Sequence, residues 1–405
     1  MNQTKIAHIT TVDLTLRYIL LNQLVSIQQA GYEVIGISSS GSDVPAIEAS
    51  GIRHIPISMT RSLTPLADLI SLCRLYQIIH REGFIIVHTH NPKPGLLGQL
   101  AARMAGVPIV INTLHGFYFH EHMHPAWRRF YITMEKIAAR CSDVILSQNM
   151  EDIETAIKEG ICLPQRIKHL GNGIDLTRFT PERFSNMDAI RVKRELRIPS
   201  DAPVVGFVGR LAAKRKGFLD FLATGREVSE RLPDVRFLIL GEADPGKPDA
   251  VEPSVAADYG IEDACLFLGH RPPHELPRLY KVMNVLVLPS LFEGLPRVVM
   301  EASAMRVPAV ATNVRGNREA VEHGRNGLLV PLGDVQALAN AIVELLTDQE
   351  KARRMGDEGR RMALECFDER LVFEEVKTEY ARLLREKGLS VPEPKATLAQ
   401  ALRSS

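Results

Sequence analysis

The sequence predicts an α/β protein of two domains, each built on a doubly wound parallel sheet. Three observations carry this expectation. Apolar runs of strand length alternate with helical periodicities up to about residue 147; the alternation restarts near residue 204; and 405 residues, 45% of them hydrophobic, suffice for two cores. In such sheets ligands bind beyond the C-terminal ends of the strands, so the residues that follow each strand are the first place to look for chemistry.

In the first half, 5–10 reads as a strand, 14–30 as a helix stopped by Gly31, and 33–38 as a strand. A helix over 66–81, a strand over 84–88, a helix over 95–105 stopped by Gly106, and a strand over 108–113 follow. A helix over 127–141 and a strand over 143–147 close the series. The polar, irregular stretch that begins at Gly171 reads as a linker. The second half offers strands over 204–208, 236–240, 265–268, 285–288 and 309–312, with helices over 217–231, 335–347 and 368–387. The expected division is 1–175 for the first domain, 176–200 for the linker, 201–367 for the second domain, 368–390 for a final helix, and 391–405 for a disordered tail.

A net charge of +1 favours neither nucleic acid nor electrostatic capture on a membrane. No secretory leader or stretch of ~18 apolar residues is seen, so the expectation is a cytoplasmic protein. Five scattered cysteines without C-x-x-C spacing read as buried free thiols in a reducing compartment.

The residues with chemical content cluster after predicted strands. After 285–288 come Glu293, Gly294, Leu295, a proline that can open a helix, Arg297 and Glu301. If both acids lay on one helix they would be about 12 Å apart at ~1.5 Å rise per residue, roughly the span of a sugar diphosphate. Between them, a helix N-terminus offers N–H groups and partial positive charge to phosphate. Two acids eight residues apart also arise by chance, one favouring a helix start and one solvated. After 204–208 comes GRLAAKRKG, with Arg210 and Lys216 placed to face phosphates; a solvated basic loop is the alternative. His115 directly follows the strand over 108–113, where a packed loop histidine is the alternative. His120, His122 and His124 alternate in one loop but lack a second ligand cluster, so no metal site is expected. HTHNPKPG, 88–95, reads as a further strand-to-helix loop, either facing an acceptor or purely structural. Asp13 follows the first strand and either caps the next helix or accepts a proton. GNGID, 171–175, lacks the third glycine of a dinucleotide motif and reads as a hinge.

Taken together, the fifty residues from NVLVLPSLFEGLPRVVMEA through GRNGLLVP resemble the donor-binding core of the retaining glycosyltransferases of family 4, which have the two-domain, Rossmann-like GT-B architecture with a C-terminal crossover helix. The resemblance implies that Glu293 contacts the donor sugar and that Glu301 contacts the nucleotide ribose; the helix N-terminus near Gly294, Leu295 and Arg297 is read as the part that faces the diphosphate. The resemblance also places Arg210 and Lys216 as a diphosphate clamp and His115 beside the donor sugar. The paired glycines frequent in the first strand-to-helix loop of that family are absent here, where the loop reads TTVDLT, so their amide contact is not carried over. TTVDLTLR, HTHNPKPGLLGQLAAR, HGFYFH and EGLPRVVMEA are similar to segments of capsule, exopolysaccharide and O-antigen assembly enzymes.

The expected activity is therefore retaining transfer of a hexose or N-acetylhexosamine from a nucleotide diphosphate sugar, taken to be UDP-linked, to a polyprenyl-diphosphate-linked saccharide. No cofactor and no nucleic acid are expected. The sequence contains no Asp-x-Asp, and two cations with a helix N-terminus can stabilise the leaving diphosphate, so no metal is expected either. A helix carrying Trp127, Arg128, Arg129, Phe130, Tyr131 and Met134 suits weak peripheral contact at the inner membrane face, or is an ordinary amphipathic helix. The rival readings are a nucleotide-sugar 2-epimerase on the same architecture and a non-enzymatic sugar-nucleotide sensor.

Overall fold

The computed structural model describes residues 4–60, 64–90, 92–244 and 246–394. The chain forms two units, Met1–Gly171 with Arg370–Ser405, and Asn172–Glu369, so it passes between them twice.

The first unit holds seven parallel strands: β1 (Lys5–Val12), β2 (Glu33–Ser39), β3 (Arg53–Pro56), β4 (Ile86–His90), β5 (Ile109–Leu114), β6 (Val144–Ser147) and β7 (Ile167–His169), in the order β3-β2-β1-β4-β5-β6-β7. The second holds six: β8 (Val204–Val208), β9 (Arg236–Leu240), β10 (Cys265–Phe267), β11 (Val285–Leu288), β12 (Ala309–Thr312) and β13 (Gly327–Val330), in the order β10-β9-β8-β11-β12-β13. Each sheet reverses its strand order once, at β1/β4 and at β8/β11, and those reversals open the crevices in which doubly wound folds bind ligands.

The strands are apolar on both faces because helices cover both. Val204, Leu286, Leu288 and Ala309 enter one core of the second unit, while Val205, Phe207, Val285, Val287 and Val310 enter the other. In the first unit Ile6, Ile86 and Ile109 alternate in the same way with Ala7, Ile9, Val87 and Val110.

Several expectations need correction. The stretch 176–200 is part of the second unit. It forms a 3-10 turn, Pro181–Arg183, and a helix, Asn186–Glu195, closed by a Ser185/Asp188 capping box, and it buries Phe179, Val192 and Ile198 in that unit's core. β4 lies two residues later than expected, so His88, Thr89 and His90 are strand residues rather than a loop. The helix expected over 14–30 runs as Asp13–Thr15, a π-helical turn Leu16–Leu20, and Leu21–Gln29. Helices Val44–Ala49, Met150–Lys158 and Gln349–Cys366 were not expected. Of the tail, 395–405 lies outside the described residues, and Val391 packs against the first unit's core. All five cysteines are free, but none is buried, and Cys73 and Cys366 are exposed. The final helix, Glu369–Glu386, buries Val376, Tyr380, Leu383 and Leu384 in the core that carries Ile6 and Ile86.

Candidate active site

In the second unit the expected site residues gather at the C-terminal ends of β8 and β11, the neighbours at which strand order reverses. The loop after β8 carries Arg210 and Lys216, and the loop after β11 carries Glu293. The two loops are tied by the Leu291 N–H, which donates to the Arg215 carbonyl at 3.1 Å, and by the Arg215 guanidinium over the Phe292 ring at 5.0 Å. Close approach requires glycine at two points. A Cβ on Gly217 (φ +62°) would lie 2.0 Å from the Pro289 carbonyl, and one on Gly316 (φ +82°) 2.2 Å from the Gly294 carbonyl.

Lys216 Nζ donates to Glu293 Oε1 at 2.5 Å, and Ser290 Oγ donates to the same oxygen at 2.6 Å. The Ser290 carbonyl accepts from Thr312 Oγ1 at 2.5 Å, and Thr312 is held in turn by Asn317 Nδ2 at 3.0 Å from its carbonyl. Burial alone would raise the Glu293 carboxyl; the Lys216 ammonium, the Ser290 hydroxyl and the Arg215 charge outweigh it and hold the group below the ordinary carboxylate value. Glu293 is therefore an ionised acceptor in a fixed position. Arg210, about one third exposed, meets Asp244 at 3.4 Å.

Glu301 sits in a different environment. Glu293 precedes the helix Arg297–Ala304 and Glu301 lies within it, so the spacing expected for two acids on one helix does not apply. Glu301 Oε2 accepts from Tyr280 Oη at 2.9 Å. Its burial pushes the carboxyl above the ordinary value, against the pull of Arg297, the Tyr280 hydroxyl and Arg178. Among the described residues Glu301 makes no other side-chain hydrogen bond, which leaves Oε1 able to accept from a ligand hydroxyl. The helix begins at Pro296 without a side-chain cap, so its first N–H groups point out of the helix end. Leu295, buried before that end, has its carbonyl fixed by Asn172 Nδ2 at 3.1 Å. Asn172 belongs to GNGID, read above as a hinge. Gly173 presses on Glu369, where a Cβ would lie 2.4 Å from Cα, and Ile174 exchanges backbone bonds with Phe367 and Glu369.

In the first unit His115 follows β5, and its Nε2 meets His90 Nδ1 at 3.2 Å. Asp13 accepts from the Leu14 N–H at 2.9 Å and the Asp43 N–H at 3.0 Å, so its carboxylate braces the turn after β2. His124 caps the helix Pro125–Cys141 by accepting from the Ala126 N–H. Trp127 and Phe130 are exposed on that helix, and their rings meet edge to face at 5.8 Å. No helix among the described residues is long and apolar enough to cross a membrane. Sequence reasoning missed Ser290, Tyr280 and Asn172, which hold the candidate groups, and His8 and Tyr380, which surround His88.

Two doubly wound parallel-sheet units with a helical C-terminal region define the GT-B class of glycosyltransferases. The chain belongs to the group 1 glycosyltransferases: that family matches residues 202–348, and the family described as glycosyl transferase 4-like matches 5–149. It is 33% identical over 294 residues to the Escherichia coli UDP-Gal:α-D-GlcNAc-diphosphoundecaprenol α-1,3-galactosyltransferase, spanning 72% of this chain and 74% of that one. It is 28% identical to the Staphylococcus aureus capsular polysaccharide biosynthesis glycosyltransferase CapM, over 95% of this chain and 99% of that one. Anabaena Alr3699/HepE, solved with UDP and glucose, superposes with a TM-score of 0.79 at 21% identity, over 94% of this chain and all of that one. The protein is a glycosyltransferase.

Proposed function

We propose that this protein transfers a hexose or N-acetylhexosamine from a UDP-sugar to a lipid-diphosphate saccharide in surface polysaccharide assembly, with retention of configuration and without a metal ion. The observation that carries the reading is the Lys216–Glu293 pair at the β8/β11 reversal, beside Arg210 and the uncapped helix end at Arg297. Lys216 has three N–H donors and spends one on Glu293; the others are available to a diphosphate. Arg210 adds a second cation, and the helix N-terminus adds N–H groups, so the charge that develops on the leaving diphosphate meets fixed donors. Glu293 accepts from the donor sugar hydroxyls and Glu301 Oε1 from the ribose. His115 supplies a hydrogen bond to the donor sugar.

The names of the relatives support the donor and acceptor classes. The E. coli relative is named for a UDP-sugar donor and a diphosphoundecaprenol acceptor, and CapM for capsule synthesis. A nucleotide-sugar donor together with a lipid-linked acceptor favours the inner face of the membrane, and the exposed Trp127 and Phe130 beside Arg129 suit shallow contact there.

The test is a panel of UDP-hexoses and UDP-N-acetylhexosamines incubated with a GlcNAc-diphospho-polyprenol, with and without EDTA. Extension of the lipid by one sugar, unchanged in EDTA, is the expected result. Turnover lost in EDTA and restored by manganese overturns the metal-free mechanism. Conversion of a UDP-sugar to its epimer without acceptor overturns the transferase reading.

A further inference from the structure

Three histidines and a tyrosine lie end to end in the interior of the first unit, outside the roles assigned so far. His8 on β1 and His88 and His90 on β4 are fully buried, as is Tyr380 on the final helix. Their contacts form one unbranched line. Thr113 Oγ1 meets His88 Nε2 at 2.7 Å, and His88 Nδ1 meets Tyr380 Oη at 2.6 Å. Tyr380 Oη meets His8 Nε2 at 3.1 Å, and His8 Nδ1 meets His90 Nε2 at 3.0 Å. His90 Nδ1 then meets His115 Nε2 at 3.2 Å. The line starts at a hydroxyl and ends on His115, the side chain proposed above to contact the donor sugar.

We propose that this line is directional and fixes the tautomer of His115, with Nε2 as acceptor and the proton on Nδ1. A neutral imidazole has one N–H and one acceptor nitrogen, so with every contact made the line runs outward, runs inward, or reverses at a Tyr380 oxygen that accepts from both His88 and His8, and this last leaves the buried Tyr380 proton without an acceptor. The imidazoles are neutral because burial holds His8, His88 and His90 far below the ordinary histidine value, to about 3 for His8. In the outward polarity Thr113 donates to His88, His88 to Tyr380, Tyr380 to His8, His8 to His90, and His90 to His115. In the inward one, His115 donates inward and His88 donates to Thr113. The inward polarity leaves the buried Thr113 hydroxyl proton without an acceptor, since among the described residues Thr113 Oγ1 bonds only His88. A buried unsatisfied donor costs about 1–3 kcal/mol, so the outward polarity dominates by about five- to 150-fold.

His8, His88, His90 and Tyr380 are thus positioning residues: they orient the ring of His115 and dictate which nitrogen presents hydrogen. The His8, His88 and His90 nitrogens also lie within 4.8 Å of one another, close enough for a cation. The hydrogen-bonded line accounts for both nitrogens of all three rings, which a shared metal would not.

The inference rests on the reading of His115 as a donor-sugar contact, and the test separates the two. The whole protein is labelled with ¹⁵N-histidine, and the His115 tautomer is read from long-range ¹H–¹⁵N correlations. The wild type and Thr113→Ser are expected to show hydrogen on Nδ1 alone. Thr113→Val and Tyr380→Phe, which keep shape but remove the hydroxyl, are expected to show both tautomers. If about half the molecules then carry the wrong one, transfer falls about twofold with UDP affinity unchanged. His115 protonated on Nε2 in the wild type, or a single tautomer in all four proteins, overturns the proposal. So does equimolar zinc that shifts the His8, His88 and His90 signals together. Mixed tautomers with undiminished transfer leave the line standing and remove His115 from the donor site.

Discussion

Lys216 Nζ and Glu293 Oε1, 2.5 Å apart, join the loops that leave the adjacent strands β8 and β11. Each side chain orients the other before any ligand arrives, and both lie mostly out of solvent. Lys216→Ala should therefore act twice. It leaves a buried carboxylate without its cation, a loss of about 3 kcal/mol for a buried pair, and it weakens UDP binding. Lys214→Ala, at an exposed position in the same basic run, should change neither melting temperature nor UDP affinity. Thermal melts with and without UDP check both. Equal effects from the two lysines would mean that the run acts as diffuse charge.

The two carboxylates should respond oppositely to neutralisation. Glu293 is held below the usual value, so its contribution is present above the unfolded value of ~4.3 and is lost as pH falls through the folded one. Glu301 is held above the usual value, so the stability of its protonated form is fully present below the unfolded value of ~4.3 and is lost as pH rises through the folded one. At pH 7 Glu293→Gln should lower the melting temperature, and Glu301→Gln should raise it. At about pH 4, both differences should shrink. A melting temperature lowered by Glu301→Gln at neutral pH would contradict the stated cause of its shift.

How much of this could be read beforehand depended on whether the signal was local. The positions of Arg210, Lys216 and Glu293 at strand ends are legible because each follows an apolar strand run within a few residues, and so are both parallel sheets. Ser290 and Tyr280 are not, because their worth comes from where Glu293 and Glu301 fold against them. The apolar run that begins at Phe84 predicts β4 two residues early, whereas His88, Thr89 and His90 are polar residues kept buried by bonding to partners such as Tyr380, far away in sequence. The stretch 176–200 looked like a linker because its apolar residues are sparse, yet Phe179, Val192 and Ile198 reach one core.

Ligand affinity should divide between the carboxylates. Glu301→Ala removes the proposed ribose acceptor and should weaken UDP itself by about 2 kcal/mol, roughly thirtyfold. Glu293→Ala should reduce the advantage of UDP-sugar over UDP and slow turnover more than it weakens UDP. Calorimetry with the two ligands on the two variants measures each difference. The reverse pattern would exchange the proposed roles.

The stereochemical outcome follows from which carboxylates are free to act. Inversion requires a general base placed opposite the leaving group. The candidate raised by the sequence, Asp13, has its two oxygens engaged by the Leu14 and Asp43 N–H groups, and Gly41 packs so close that a Cβ there would lie 2.4 Å from Asp13 Oδ2. Withdrawing Asp13 to serve as a base would break both bonds and release the turn after β2. Asp13→Asn, which keeps one acceptor oxygen, should accordingly reduce stability more than it changes the anomer or the rate of the chemical step. An α-linked UDP-sugar should give an α-glycoside on the lipid-diphosphate acceptor in both wild type and Asp13→Asn, as the proton–proton coupling at the anomeric carbon reports. A β-product from the wild type, abolished in Asp13→Asn, would assign Asp13 as the base and overturn retention.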